Sequence, residues 1–328
     1  MSKQSVNIVN FSERSEQGNI LGVQPCVSPM DYATADRYMA KMEGYLETSK
    51  KAGLLNPKTI VVYPEYVGTW LVAANLPDSA YHYKNLSSVI IRVILQHPIG
   101  FGRWMLKTGN IRKALFLLKS DSMCSIYNHT FSYLAKKYDV TIVAGSIVLS
   151  NPAISDGVLI SSPGSLYNTS VVYGSDGGAI SPVIRKASLI DEERGFTSPG
   201  KVEDLPVFSL SAGKLAVLIC ADSWHEKSYE IIKAQGPTLL AVPSYLSPQG
   251  VWDKPWHGDK NITEKEAWLK YAMAGKMQIA GIGCGLNVFL RGSLWDATSD
   301  GRSILRANGQ TKIATGDRDQ LLNIWISQ

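Results

Sequence analysis

Apolar residues recur along this chain in two rhythms. Short unbroken runs closed by Gly, Pro or polar residues mark strands buried on both faces, and spacings of three and four mark helices. Runs at residues 6–9, 59–63, 141–144, 215–219 and 238–242 predict strands. Residues 31–51 bring Tyr38, Met39, Met42 and Tyr45 toward one helical face and stop at Gly53. Residues 86–119 predict two or more helices broken at 98–102, and residues 131–137 predict another. Residues 169–173 and 183–185 flank Ser175-Asp-Gly-Gly178, a hairpin signal. Farther on, residues 226–235 predict a short helix closed by Gly236. Thr263-Glu-Lys-Glu266 has capping-box spacing ahead of a helix through about Gln278. Residues 279–283 and 303–306 complete a strand-rich ending. Strands alternating with helices predict an α/β fold, and the internal hairpin predicts mixed sheets.

Composition narrows the class. With 328 residues, 45% hydrophobic and 19% charged, the chain suits a single large domain over 1–328 with a sizeable core. The first residues hold no apolar h-region and no stretch gives 18 uninterrupted apolar residues, so a cytoplasmic protein without a transmembrane segment is expected. Cys26, Cys124, Cys220 and Cys284 lie far apart, which predicts reduced thiols in place of a disulfide framework or zinc site. His82, His97, His129, His225 and His257 show no ligand spacing, so neither a metal nor another cofactor is expected. Gly281-Ile-Gly-Cys-Gly285 lacks dinucleotide-site spacing and reads as a tightly packed strand. No basic–aromatic pattern points to nucleic acid.

The net charge of +5 is uneven: residues 79–120 hold seven basic residues and no acidic one, leaving the remainder net negative. Within the segment at about 71–130, Val89, Ile90, Val93 and Ile94 form one apolar stripe and residues 111–119 another. Three readings stay open for it: a helical insertion packed on the body or at a subunit contact, a lid, or surface membrane attachment through a basic amphipathic face.

Three reactive side chains stand just past apolar runs. Glu65 follows Tyr63-Pro, Lys186 follows Ile184-Arg, and Cys220 follows Ile219. A thiol is mostly protonated at neutral pH and needs a base or nearby cation to become a nucleophile. A carboxylate can take its proton, and a lysine can hold that carboxylate ionised and donate to an oxyanion. Taken singly, each also fits a strand-end charge or a packed core cysteine. Cys220 with His225, five residues on, is a competing nucleophile–base pair. Trp252, Trp256 and His257 form an aromatic loop that either lines a pocket or caps a sheet.

Pro64-Glu65, Arg185-Lys186 and Ile219-Cys220-Ala-Asp222 resemble, in order and context, the Glu–Lys–Cys triad of the nitrilase (carbon–nitrogen hydrolase) superfamily. Val143-Ala-Gly-Ser146, Leu166-Tyr-Asn168, Asp176-Gly177, the 236–244 run ending Pro243-Ser244, Gly292-Ser293 and Asp300-Gly301 are similar to its other motifs. The resemblance spans nearly the whole chain outside 71–130. It implies a four-layer α-β-β-α sandwich with two mixed sheets, a homodimer or higher homo-oligomer, and a small amide or nitrile substrate. It also implies roles: Cys220 as nucleophile, Glu65 as base, Lys186 and the Ala221 backbone N–H as oxyanion donors, and Glu193, with Glu192 as rival, as a second glutamate. Tyr66, Ala221, Ser244 and Tyr245 become candidate substrate-binding residues. Cys220-Ala-Asp222 resembles the amide-cleaving side. Ser223-Trp-His-Glu-Lys227 lacks the proline and arginines common in carbamoylases, and Met273-Ala-Gly-Lys276 departs from the usual Arg-Ala-x-Glu. Hydrolysis of an amide or carbamoyl amide is the reading taken; nitrile hydrolysis, acyl transfer and a non-catalytic binding protein remain alternatives.

Overall fold

The computed structural model describes residues 6–315 and 318–327. Its architecture is a four-layer α-β-β-α sandwich. The first sheet runs Asn7–Asn10, Gln320–Trp325, Asn19–Gln24, Thr59–Val62, Thr141–Val143, Leu166–Tyr173, Ala179–Arg185 in spatial order, with Ile147–Ser150 also paired to Leu166–Tyr173. The second runs Val207–Leu210, Gly213–Val217, Leu239–Ser244, Cys284–Phe289, Ile304–Ala307, Gln310–Ile313. The middle of each is parallel and is flanked by antiparallel pairs, with Asn7–Asn10 added parallel to Gln320–Trp325 at one edge of the first, so both sheets are mixed.

Alternation along the strands of the first sheet builds two cores. Leu21, Val61, Tyr63, Ile142, Val171 and Tyr173 point outward, toward Tyr38 and Met42 of the helix Ala35–Lys51 and Tyr127 and Phe131 of the helix Ile111–Tyr138. Their neighbours Ile20, Ile60, Val62, Val143, Val172 and Ile184 point inward, into the layer shared with Leu215, Val217, Leu240, Leu286 and Val288 of the second sheet. The sheets meet closely at Gly22, where an added Cβ would lie 2.8 Å from Leu286 Cδ2. The second sheet covers its other face with the helices Glu226–Lys233 and Glu264–Tyr271, the latter opened by the Thr263–Glu266 capping box.

Three expectations change, and one strand was not foreseen. The helix expected at 131–137 is the end of one 28-residue helix, Ile111–Tyr138. Met123, Tyr127, Phe131 and Leu134, all fully buried, continue its stripe at spacings of four, four and three. The chain breaks at His97, so that Pro98 opens a new helix, Pro98–Thr108, in place of a break across 98–102. Residues 279–283 are not a strand: the turn Met277–Ala280 closes on Gly281 at φ 72°, and the strand starts at Cys284. The central strand Asn19–Gln24 carried no prediction; Gly22 interrupts its short apolar run and the polar Asn19 and Gln24 bound it.

Candidate active site

Glu65, Lys186 and Cys220 lie just beyond the C-terminal ends of three strands, two in the first sheet and one in the second, where open α/β sheets present their ligand crevices. The glutamate is held by its own loop. Ser146 Oγ accepts from Tyr66 N at 2.9 Å, and Ser146 N donates to Pro64 O at 3.2 Å. Gly145, at φ 72°, lets this clamp form, since a Cβ there would stand 2.1 Å from Pro64 O. Lys186 is registered by its backbone N–H, which donates to Asn168 O at 2.9 Å.

The side chains converge. Lys186 Nζ lies 2.8 Å from Glu65 Oε1 and 2.7 Å from Glu193 Oε2, and all three residues are 1% exposed. Asn168 Nδ2 donates to Glu65 Oε1 and to Glu193 Oε1, each at 2.9 Å. Glu193 also accepts from the Tyr66 hydroxyl at 2.5 Å and from Ile190 N at 3.2 Å. Its neighbour Glu192 is exposed, so the site takes Glu193 and leaves Glu192 in solvent.

Cys220 completes the group from the second sheet. The buried run Leu218-Ile219 leads into the turn Cys220–Trp224, and Cys220 takes φ 48°, a left-handed conformation that a residue with a Cβ rarely adopts. The thiol approaches Tyr245 O at 3.7 Å, and the charges of Glu65 and Lys186 both act on it. Asp222 ties this turn to the lysine segment: its carboxylate accepts from Ala187 N at 3.0 Å, Ser188 N at 2.6 Å and Ile219 N at 3.2 Å. Burial pushes the Asp222 carboxyl up to about 7, opposed by those amide donors and by Lys186.

Electrostatics separates the two glutamates. Burial, helped by the Glu193 charge and opposed by Lys186, raises Glu65 above the usual carboxylate range. Burial acts on Glu193 in the same direction, but Lys186 and the hydrogen bonds from Lys186, Tyr66 and Asn168 outweigh it and hold that carboxyl low. Desolvation disfavours the Lys186 ammonium, yet Glu65, Cys220 and Glu193 together hold it firmly protonated. Burial and the Glu65 charge push the Cys220 thiol well up, so it rests as S–H. Carboxyls pushed apart in this way can divide the work, one taking up a proton more readily and the other holding its charge.

The remaining candidates border this centre. The Tyr66 and Tyr245 rings meet edge-on at 5.6 Å, and Ala221 follows Cys220 in its turn. Ser244 ends its strand fully buried, and its hydroxyl has no partner among the described residues. His225 is exposed while Cys220 is buried, which removes the Cys–His pair. Of the aromatic loop, Trp252 packs edge-on against Phe289, and Trp256 against Trp224 and Tyr271, so it covers the second sheet. Asn168, Ser146 and Asp222 were visible in the sequence only as motif positions. An amide side chain in the buried strand Leu166–Tyr173, where Thr169 and Ser170 are also polar, was the available signal for the first. No group of three or more His, Cys, Asp or Glu among the described residues could hold a metal ion.

Residues 127–285 match the family model of the carbon–nitrogen hydrolases. Just under half of the chain is thus similar to that family. That match takes in Asn168, Lys186, Glu193 and Cys220, whereas Glu65 enters the site from outside it. A protein named probable nitrilase from Schizosaccharomyces pombe is 32% identical over 136 residues, 42% of this chain and 43% of its own length; the alignment thus spans less than half of that relative. An amidase of the nitrilase superfamily from Nesterenkonia superposes with a TM-score of 0.58 at 15% identity, covering 95% of this chain and 92% of that one. A carbon–nitrogen hydrolase from Helicobacter pylori gives 0.59 at 18% identity, over 94% and 89%. At these identities the likeness to both is one of fold.

Proposed function

We propose that the protein hydrolyses a non-peptide carbon–nitrogen bond of a small amide or carbamoyl amide through a thioester on Cys220. The observation that carries this reading is the meeting of Glu65, Lys186 and Glu193 with the Cys220 thiol in one buried centre. Sγ attacks the carbonyl carbon while Glu65, whose raised affinity for protons suits a base, takes the thiol proton. Lys186 and the backbone N–H of Ala221 stabilise the tetrahedral oxyanion. As the carbon–nitrogen bond breaks, Glu65 passes its proton to the leaving nitrogen. A water then attacks the thioester, Glu65 takes a proton from it, and the carbon–sulfur bond breaks with the proton returned to sulfur. Glu193 stays ionised throughout and holds Lys186 in place. Cys220 is only 6% exposed, which favours a compact acyl group flanked by Tyr66, Ser244 and Tyr245.

The four free cysteines suit a reducing cytoplasm, and we read the protein as a homo-oligomer by its resemblance to the superfamily; light scattering checks this. The function is tested with a panel of short amides, carbamoyl amino acids and nitriles, read by ammonia release. Turnover of an amide that vanishes in Cys220→Ala supports the reading, and hydroxamate formed on adding hydroxylamine traps the thioester. Silence across the panel, with iodoacetamide labelling Cys220 no faster than Cys26, Cys124 or Cys284, overturns it.

A further inference from the structure

The helix Pro98–Thr108 contains no buried residue. Isolated helices of eleven residues are marginal in water, so tertiary contacts must hold this one, and its inner side does rest on the helix Ile111–Tyr138, with Gly100 close to Leu118. Its outer face is the anomaly. Ile99, Arg103, Leu106 and Lys107 fall on one side of the helix, and all four are exposed, Leu106 at 91%. The preceding helix Leu86–Gln96 adds Ile91 at 57% and Leu95 at 64%, and Ile111 follows at 50%.

Charge says what covers this face. Residues 79–120 hold seven basic side chains and no acidic one. Asp296 reaches the region only at its start, where Oδ1 accepts from Leu86 N at 2.8 Å. An isologous contact with a second copy would set this basic face against itself. Lys84, Arg92, Ile91 and Leu95 line an open groove of about 600 Å³. Exposed apolar residues interleaved with cations are what an anionic bilayer surface accommodates: phosphate oxygens meet the cations, and the apolar side chains enter the headgroup–acyl boundary. No helix among the described residues is long and apolar enough to cross a membrane, so the helices would lie in its plane.

We propose that the surface formed by the helices Leu86–Gln96 and Pro98–Thr108 docks the protein onto an anionic lipid bilayer, with Lys84 and Arg92 receiving headgroup phosphate and Ile91, Leu95, Ile99 and Leu106 inserting. This does not depend on the hydrolytic reading, and its test uses no substrate. The full-length protein is pelleted with phosphatidylcholine vesicles and with vesicles that also contain phosphatidylglycerol. Binding is expected to the anionic vesicles only, weakening as salt rises. Each of Arg103→Gln, Lys107→Gln and Arg92→Gln should weaken partitioning about fivefold. Leu106→Glu, judged folded by an unchanged thermal melt, should abolish it. No bound fraction at low salt overturns the proposal. So does a wild-type dimer that Leu106→Glu dissociates without any vesicle binding, since the face would then belong to a second copy.

Discussion

Glu65 and Glu193 are joined through shared donors: Lys186 Nζ reaches Oε1 of the first at 2.8 Å and Oε2 of the second at 2.7 Å. Two carboxylates and one ammonium buried together are stable only as a set, because each charge has lost its water. Removing the cation leaves two adjacent anions with only hydrogen bonds from neutral groups for compensation.

Lys186→Met should therefore cost about 3–5 kcal/mol at neutral pH, the range for breaking a buried ion pair from one side. The sign with pH follows. Without Lys186, both carboxyls bind protons more readily folded than unfolded, so the variant regains stability relative to wild type as pH falls. Urea melts of both proteins across the acid range measure this. A deficit that stays constant with pH would mean that other groups compensate the carboxylates.

Asn168 sits between the same carboxyls, and its two donated hydrogen bonds favour their ionised forms. For a base that must be ionised, activity falls as pH drops through its folded pKa. Glu65 is raised, so the acidic limb of kcat/KM should lie above the ordinary glutamate range. Asn168→Ala should move that limb to still higher pH and lower kcat about 10–100-fold, the scale of a hydrogen bond to a charged group. A purely structural asparagine would reduce the rate without moving the limb.

How much of this was legible before any coordinates depended on the reach of the signal. Leu215 to Ile219 announces itself, because a strand covered on both faces has no polar side to interrupt the run. Asn19–Gln24 is just as central, yet Asn19 donates to Leu54 O and Asn323 Oδ1 and Gln24 Oε1 accepts from Ser303 N, distant partners that no local pattern contains. The site divides in the same way. Glu65, Lys186 and Cys220 are visible as strand-end residues, and the resemblance supplied their order. That Glu193 and not Glu192 turns inward depends on one helical turn placed by Phe196, Thr197 and Ile190, a choice that sequence spacing leaves open.

That turn is braced by the long helix. Phe116 stacks on Phe196 with centroids 5.5 Å apart, Asn110 Nδ2 donates to Gly195 O at 3.1 Å, and Phe196 N donates to Glu193 O at 3.0 Å. Phe116→Ala removes one support of Glu193 without touching the reacting atoms. An aromatic pair contributes about 0.5–1.5 kcal/mol beyond its burial, so kcat should fall roughly 2–10-fold with KM little changed. Phe116→Leu, keeping apolar contact with Phe196, should recover part of it. A KM effect alone would place Phe116 in substrate binding instead.

Cys220, the proposed nucleophile, carries strain that two variants can measure. Cys220 is held at φ 48°, where a Cβ costs about 1–2 kcal/mol and glycine costs little. Against this, glycine loses about 0.5–1 kcal/mol more backbone entropy than alanine on folding. Cys220→Gly should consequently be as stable as Cys220→Ala or more so, by up to ~1 kcal/mol, the reverse of their usual order in regular structure. Both should be inactive, so the comparison isolates backbone from chemistry. Denaturant midpoints of the two proteins decide it. An alanine variant clearly more stable than the glycine variant would mean that the turn relaxes out of the left-handed region once the thiol is gone, with Sγ and its contact to Tyr245 O, and not the surrounding backbone, holding the conformation.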